Sequence, residues 1–352
     1  MMRLIRWILL PISLIYQGIV WVRNQLYDRG ILSSRRFDIP TILVGNLIVG
    51  GAGKSPMTEY LIRLLADRYQ VATLSRGYGR TTKGFRLVAS GSSATEVGDE
   101  PLQFKRKFPQ ITVAVCEDRC AGIDQLRDTQ DLIILDDAYQ HRRLQPGFAI
   151  LLFDYASLEQ PKLTLPTGNY RDNFSAVKRA DAIVITKCPS NLDSLQRKSL
   201  ERPLRAYSDA PIFYTRIAYE NAVSPFHPAD ERRLENLDIV LFCGIAQPRP
   251  LLQYLEQQHN RVRPILFPDH HYFSEKDYKR IIQTFENNPS ENKILLTTEK
   301  DLQRIDKKLL EKLPLYYLPI RIDFLHPLHE RFDTLLLDYV AQMIQQKNAG
   351  SL

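Results

Sequence analysis

Gly50-Gly51-Ala52-Gly53-Lys54-Ser55 stands between a short apolar run, Thr41-Ile42-Leu43-Val44, and a stretch in which Met57, Tyr60, Leu61, Leu64 and Leu65 recur at the spacing of one helical face. Strand, glycine loop, helix is the order of a phosphate-binding P-loop. Glycines let successive backbone N–H groups turn onto phosphate oxygens, and the helix N-terminus adds its partial positive charge. Lys54 is placed to reach the β- and γ-phosphates and the Ser55 hydroxyl to bind Mg²⁺. Pro56 fits the first helical turn, which has N–H groups to spare. The commoner pattern G-x-x-x-x-G-K-[ST] would want glycine at Ile48; this loop has the shorter GGxGK[ST] form.

The chain of 352 residues is 44% hydrophobic and 25% charged, enough for one large or two ordinary globular domains. Its net charge of +7 points to an anionic partner without choosing among nucleotide, nucleic acid and an acidic membrane surface. Cys116, Cys120, Cys188 and Cys243 show no paired C-x-x-C spacing, so reduced, buried thiols are expected rather than zinc ligands or disulfides.

Residues 4–22, LIRWILLPISLIYQGIVWV, form the most apolar stretch, with Arg3 and Arg6 at its start and Arg23, Arg29, Arg35 and Arg36 behind it. No small-residue cleavage site follows, which argues against a signal peptide. A spanning helix needs about 20 apolar residues, and Arg6, Pro11 and Gln17 interrupt this one. A buried core helix remains open, but Trp7, Trp21 and the flanking arginines favour a helix lying in an anionic membrane interface.

After the P-loop helix, Val71-Ala72-Thr73-Leu74 delivers the turn Ser75-Arg76-Gly77-Tyr78-Gly79-Arg80. Gly98-Asp99-Glu100-Pro101 opens another helix, where an acidic pair alone reads as a cap. Ile111–Val115 is a further strand. Leu132-Ile133-Ile134-Leu135 ends in Asp136-Asp137, carboxylates at the carboxyl end of a buried parallel strand, as Mg²⁺ opposite Ser55 requires. Ala138-Tyr139-Gln140-His141-Arg142-Arg143 continues with polar groups for a substrate.

Beyond residue 148 seven more strand-like runs follow, too many for one compact sheet. The expected fold is α/β: an interfacial helix and basic linker over 1–36, a P-loop NTPase-like αβα lobe over 37–147 with a helix at 328–347 packing back, and a second αβα lobe over 148–327. A cleft between lobes is the usual place for a small-molecule site. In the second lobe, Asp269-His270-His271-Tyr272 and Thr298-Glu299-Lys300-Asp301 follow strands. Adjacent histidines do not converge on one metal from a helix, so an acid/base pairing of histidine with carboxylate is favoured over zinc. Thr186-Lys187-Cys188-Pro189 lacks the aspartate of a guanine-reading TKxD, which disfavours GTP.

Taken together, GN-x₃-GGxGKSP, SRGYGR, GDEP, ILDDAYQHR, FPDHHYF and LLTTEKD, in this order over nearly the whole chain, resemble the LpxK family of tetraacyldisaccharide 4′-kinases. The resemblance implies phosphorylation of the 4′-hydroxyl of a tetraacyl disaccharide 1-phosphate by ATP with Mg²⁺, giving lipid IVA at the cytoplasmic face of the Gram-negative inner membrane. It implies two αβα lobes joined by a β-ribbon. Carried onto this sequence, it makes Ile48, Val49, Gly50, Gly51, Ala52, Gly53, Lys54 and Ser55 the ATP cradle and Asp99 the base with His270 as its partner. Ser55, Glu100, Asp136 and Asp137 would serve the metal, and Arg119, Gln140 and His141 the sugar or its 1-phosphate. Ser55 stands where threonine is common and Ala138-Tyr139 where Gly-Phe is common; serine keeps the hydroxyl. The rival reading is a partner-driven P-loop ATPase of the GGxGK[ST] class. Nucleic-acid binding has only net charge in its favour, without a recognised module.

Overall fold

The structure, a computed structural model, describes residues 6–325 and 328–349. Two compact units emerge: residues up to Ile217 together with those from Ile322 onward, and Ala218–Arg321.

The first unit is built on β1 (Thr41–Asn46), β2 (Val71–Ser75), β3 (Arg86–Leu87), β4 (Thr112–Val115), β5 (Leu132–Asp136), β6 (Phe148–Asp154), β7 (Ala182–Thr186) and β8 (Ile212–Tyr219). They form one sheet with the returning strand Ile320–Phe324, in the order Ile320–Phe324, β8, β7, β6, β1, β5, β2, β4, β3. β1 lies parallel to both β5 and β6, with Thr41 opposite Ile133 and Ile42 opposite Phe148. Alternate residues of these strands enter two separate cores. Leu43, Leu74, Leu135 and Leu151 pack on one face with helix Arg119–Leu126; Ile42, Val44, Ile134 and Ile150 pack on the other with helices Lys54–Leu65, Asp99–Lys107 and His329–Ala349. Phe332, Leu336 and Val340, one turn apart, are the fully buried stripe of the last helix.

The expected boundary at 148 is therefore moved to 218. β6, β7 and β8 extend the P-loop sheet by parallel pairing, β6 on β1, β7 on β6 and β8 on β7, instead of starting a second one. An apolar strand carries no mark of which sheet it joins; its register partner decides.

The second unit has six strands, β9 (Ala222–Val223), β10 (Glu231–Arg232), β11 (Asp238–Cys243), β12 (Arg261–Leu266), β13 (Lys293–Thr298) and β14 (Leu315–Leu318), ordered β10-β9-β14-β13-β11-β12. Helix Arg249–Gln257 buries Leu251 and Leu255 on one face, and helix Glu275–Glu286 buries Tyr278, Ile281 and Phe285 on the other.

The N-terminal helix Leu10–Asp28 inverts the usual amphipathic arrangement. Its buried positions include Ser13 and Asn24, whereas Ile15 and Ile19 are 66% and 63% exposed. Polar groups do the docking: the Thr167 amide donates to Ser13 Oγ at 2.9 Å, Asn24 Nδ2 to Asp172 at 2.7 Å, and Tyr16 Oη to the Arg171 carbonyl at 2.9 Å. Trp7, Ile8, Ile12 and Trp21 add to the exposed apolar surface. Among the described residues no helix is long and apolar enough to cross a membrane. Arg3 of the basic flank and Leu4 and Ile5 of the apolar stretch lie outside the described residues. All four cysteines are buried free thiols.

Candidate active site

β1 ends at Asn46, and the loop after it delivers Lys54 to the first position of helix Lys54–Leu65. Gly53 caps that helix with φ +83°, in the left-handed region that side chains avoid, and a Cβ there would press on Thr186 at 3.4 Å. Thr186 Oγ1 donates to the Ala52 carbonyl at 2.9 Å, so the TKCP segment braces the loop from the end of β7. Lys54 Nζ lies 3.3 Å from Asn46 Oδ1 and 3.7 Å from Asp137 Oδ2. The first two residues of the expected cradle differ from the rest. Ile48 forms a bridge with Tyr170, and the Val49 amide donates to the Asn169 carbonyl at 2.8 Å. That amide is committed within the chain, so Val49 offers no N–H to a phosphate and the glycine loop proper begins at Gly50.

Ser55 Oγ donates to Glu100 Oε1 at 2.9 Å. This bond brings the GDEP motif to the P-loop. Asp99, buried, is the first residue of helix Asp99–Lys107, after Gly98 at φ +93°. A Cβ on Gly98 would come within 3.2 Å of Gly77 backbone, and one on Gly77 within 2.8 Å of the Val97 carbonyl. The glycines of SRGYGR and GDEP thus let two backbones touch. In the former motif, Arg80 pairs with Glu117 at 2.7 Å.

At the end of β5, the buried Asp136 accepts from Thr58 Oγ1 at 3.4 Å. Burial, and then the charges of Glu100 and Asp137, push its carboxyl well above the usual carboxylate value. Asp137 sits at φ +48° and receives Arg171 on both oxygens, at 2.8 and 3.3 Å. Burial works to raise the Asp137 carboxyl, but Lys54 and Arg171 outweigh it and hold the group below its ordinary value. Arg171 also donates to Asn46 Oδ1, so Asn46 links the lysine, the arginine and, through its Nδ2, the Ile48 carbonyl. Neither Asn46 nor Arg171 is in the sequence-based site. Asn46 stands inside the GN-x₃-GGxGKSP motif; Arg171 has no local signal.

The three residues expected at the sugar have different surroundings. Arg119 is 3% exposed and donates to the Cys116 carbonyl at 2.6 Å, and burial lowers its pKa against the pull of Asp136 and Asp137. Gln140 donates to the Asn46 carbonyl at 2.8 Å, tying its loop to β1. His141 lies 3.7 Å from Asp118; burial, then the Arg119 charge, lowers its pKa and leaves the imidazole neutral at pH 7. Asp118, Cys120 and His141 bring ligand atoms within 4.8 Å of one another, but Asp118 is taken up as a helix cap and by Arg143 at 3.0 Å.

In the second unit His270 occupies a left-handed position, φ +60°, after β12. Arg304 Nη2 lies 2.9 Å from its Nδ1, Lys300 Nζ 3.3 Å from its Nε2 and Asp269 3.9 Å from the same nitrogen. His271 pairs instead with Asp277 at 3.0 Å, so the adjacent histidines diverge.

A glycine loop at the carboxyl edge of a parallel sheet, with lysine and hydroxyl at its helix and carboxylates on the neighbouring strand, defines a P-loop phosphotransferase. The chain belongs to the LpxK family: the family model, described as tetraacyldisaccharide-1-P 4′-kinase, matches residues 5–340. It is an enzyme, a kinase of lipid A biosynthesis. The tetraacyldisaccharide 4′-kinase of Flavobacterium johnsoniae is 42% identical over 98% of this chain and 100% of its own length, and that of Bacteroides thetaiotaomicron 39% identical over 95% and 93%. The structure also resembles "apo" form LpxK from Aquifex aeolicus in complex with ATP, with TM-score 0.75 and 29% identity over 96% of this chain and 99% of that one.

Proposed function

We propose that the chain transfers the γ-phosphoryl group of ATP to the 4′-hydroxyl of a tetraacyl disaccharide 1-phosphate, giving lipid IVA, at the cytoplasmic face of the inner membrane. The observation that carries the catalytic part is the Ser55–Glu100 hydrogen bond, which turns a pair of helix-capping carboxylates into neighbours of the phosphate loop. Lys54 and the N-terminus of its helix bind the phosphates. The carboxylate cluster of Glu100, Asp136 and Asp137 beside the Ser55 hydroxyl fits Mg²⁺, since a cation there would offset the burial and like charges that raise the Asp136 carboxyl, and all the donors are hard oxygens. Bound there, Mg²⁺ would neutralise charge on the phosphates.

A sugar hydroxyl does not ionise at neutral pH, so Asp99 accepts its proton as the new P–O bond forms, with His270 as its partner. Arg171 keeps Asp137 ionised and aligned; Arg119, Gln140 and His141 serve the side of the sugar and its 1-phosphate, Gln140 by fixing the loop that carries His141. The outward apolar face of the N-terminal helix supports docking on the membrane surface where the acylated substrate resides.

The test is transfer of ³²P from ATP to tetraacyl disaccharide 1-phosphate in detergent, with and without Mg²⁺, for wild type and Asp99→Ala. Product from wild type with Mg²⁺ and near-loss in the variant are expected. Equal product from both removes Asp99 as the base. A folded, ATP-binding wild type that gives no product overturns the reaction itself.

A further inference from the structure

The segment Thr186-Lys187-Cys188-Pro189 braces the glycine loop through its threonine, and its lysine has no role in the proposed reaction. Lys187 follows β7 directly and adopts φ +57°, a left-handed backbone that a long side chain seldom takes. The turn is held on both sides. Thr186 Oγ1 donates to the Ala52 carbonyl at 2.9 Å, and the Cys188 amide donates to the Thr215 carbonyl at 2.9 Å. From this turn the Lys187 ammonium comes back to the glycine loop, where a Cβ on Gly51 would lie 3.9 Å from Nζ. It pairs there with Asp154 Oδ2 at 2.7 Å, and both side chains stay partly exposed. Asp154 Oδ1 meanwhile accepts from the Ala156 amide at 3.0 Å, which fixes the carboxylate in place.

A staple between the ends of β6 and β7 would account for the ion pair, since Asp154 and Thr186 are register partners across those strands. It would need neither a left-handed lysine nor an ammonium at Gly51. The strand order says which part of a nucleotide meets this pair. Along the carboxyl edge the strands run β7, β6, β1, β5, β2. Lys54 and Ser55 come from the loop after β1, and Asp136 and Asp137 stand at the end of β5. The γ-phosphate and its metal therefore belong on the β5 side. The remainder of the nucleotide leaves the glycine loop the other way, over β6 and β7, in the crevice outside the carboxyl ends where such sheets place their ligands. Charge agrees with that direction. Asp154 neutralises the ammonium and would repel a phosphate, and Lys54 with its helix N-terminus already serves the phosphates. A neutralised lysine with an accessible alkyl stem suits an uncharged ribose and the face of a base.

We propose that Lys187, held by Asp154, binds the nucleoside half of ATP at the β7 end of the glycine loop. This deepens the proposed reaction and rests on ATP occupying that loop.

The experiment measures binding by calorimetry on full-length protein in detergent with Mg²⁺ and without lipid, using ATP and inorganic tripolyphosphate as the two probes. Lys187→Gly removes the side chain and keeps the turn, because glycine takes φ +57° freely. ATP should bind it about tenfold more weakly, and tripolyphosphate within about twofold of wild type. Lys187→Met keeps an alkyl stem without the charge; it should lose about threefold for ATP and nothing for tripolyphosphate, and it decides alone if Lys187→Gly does not fold. Asp154→Asn, which can still cap the helix that follows, should also weaken ATP about threefold and spare tripolyphosphate. Equal losses for the two probes would make Lys187 a phosphate ligand and overturn the proposal. ATP binding unchanged in the Lys187 variants would reduce the pair to a strand staple and overturn it too. A wild type that binds neither probe removes the P-loop reading, and the proposal with it. A wild type that binds ATP through Lys187 but phosphorylates no lipid removes the reaction and leaves the nucleoside contact standing.

Discussion

Replacing Ile12, Ile15 and Ile19 by serine tests whether the inverted N-terminal helix is the membrane anchor. The three side chains are 54%, 66% and 63% exposed, so the folded protein leaves most of their burial energy ungained. Complete burial of an isoleucine side chain is worth about 1.5–3 kcal/mol, which leaves roughly 1–1.8 kcal/mol per position for transfer into the acyl boundary. Together they supply about 3–5 kcal/mol, a change of at least ~100-fold in partitioning. The same exposure means that little native packing is lost, so the thermal midpoint should stay close to wild type. The assay is co-sedimentation with phosphatidylethanolamine–phosphatidylglycerol vesicles at fixed salt, beside turnover in detergent micelles. Vesicle binding should fall about 100-fold or more while the protein stays folded. A fall of less than about threefold would place the anchor elsewhere, and a large loss of stability would show that the face is packed in solution.

Arg171→Ala removes both contacts to Asp137 and two to Asn46, one on its carbonyl and one on its Oδ1; kcat should fall about 10²-fold, at the scale of losing a charge-assisted pair worth about 2–3 kcal/mol, whereas Arg142→Ala, which pairs with Asp28, should leave kcat within about twofold. Gly98→Ala demands an alanine at φ +93° with its Cβ against Gly77 and Tyr78 backbone, and should cost about 1–3 kcal/mol in urea unfolding and most of the activity, because Asp99 moves with it. Asp277 is held at about 2 by the Ser274 hydroxyl and amide, with His271 adding to them; a depressed carboxyl stabilises the fold above its unfolded value and loses that contribution as pH falls through about 2. Asp277→Asn should therefore destabilise by about 1 kcal/mol at pH 7, the scale of a helix cap, and the difference from wild type should shrink between pH 4 and 2 in urea titrations.

The central strands of the P-loop sheet were legible because each is a continuous apolar run buried on both faces, and the P-loop because its glycines, lysine and hydroxyl are contiguous. What pairs with what was not. Phe148–Asp154 reads as a strand from its composition, but its place beside β1 depends on partners a hundred residues away, and so the boundary at 148 fell seventy residues short. The acidic pair Asp99-Glu100 reads locally as a cap, and it is one; its second meaning comes from Ser55, which is 45 residues earlier in the chain. Arg171 reaches Asp137 from a loop with no motif of its own. The N-terminal helix shows the same division most sharply. Its apolar content and arginine flanks are plain in the sequence and fit either a core helix or an interfacial one. Only the contacts separate the two: Ser13, Tyr16 and Asn24 spend their hydrogen bonds on the body, so the apolar side is turned to solvent. A helix whose polar groups are satisfied inward leaves its hydrophobic face exposed among the described residues, and the membrane docking proposed above fits that face because a bilayer surface needs no shape of its own to cover it.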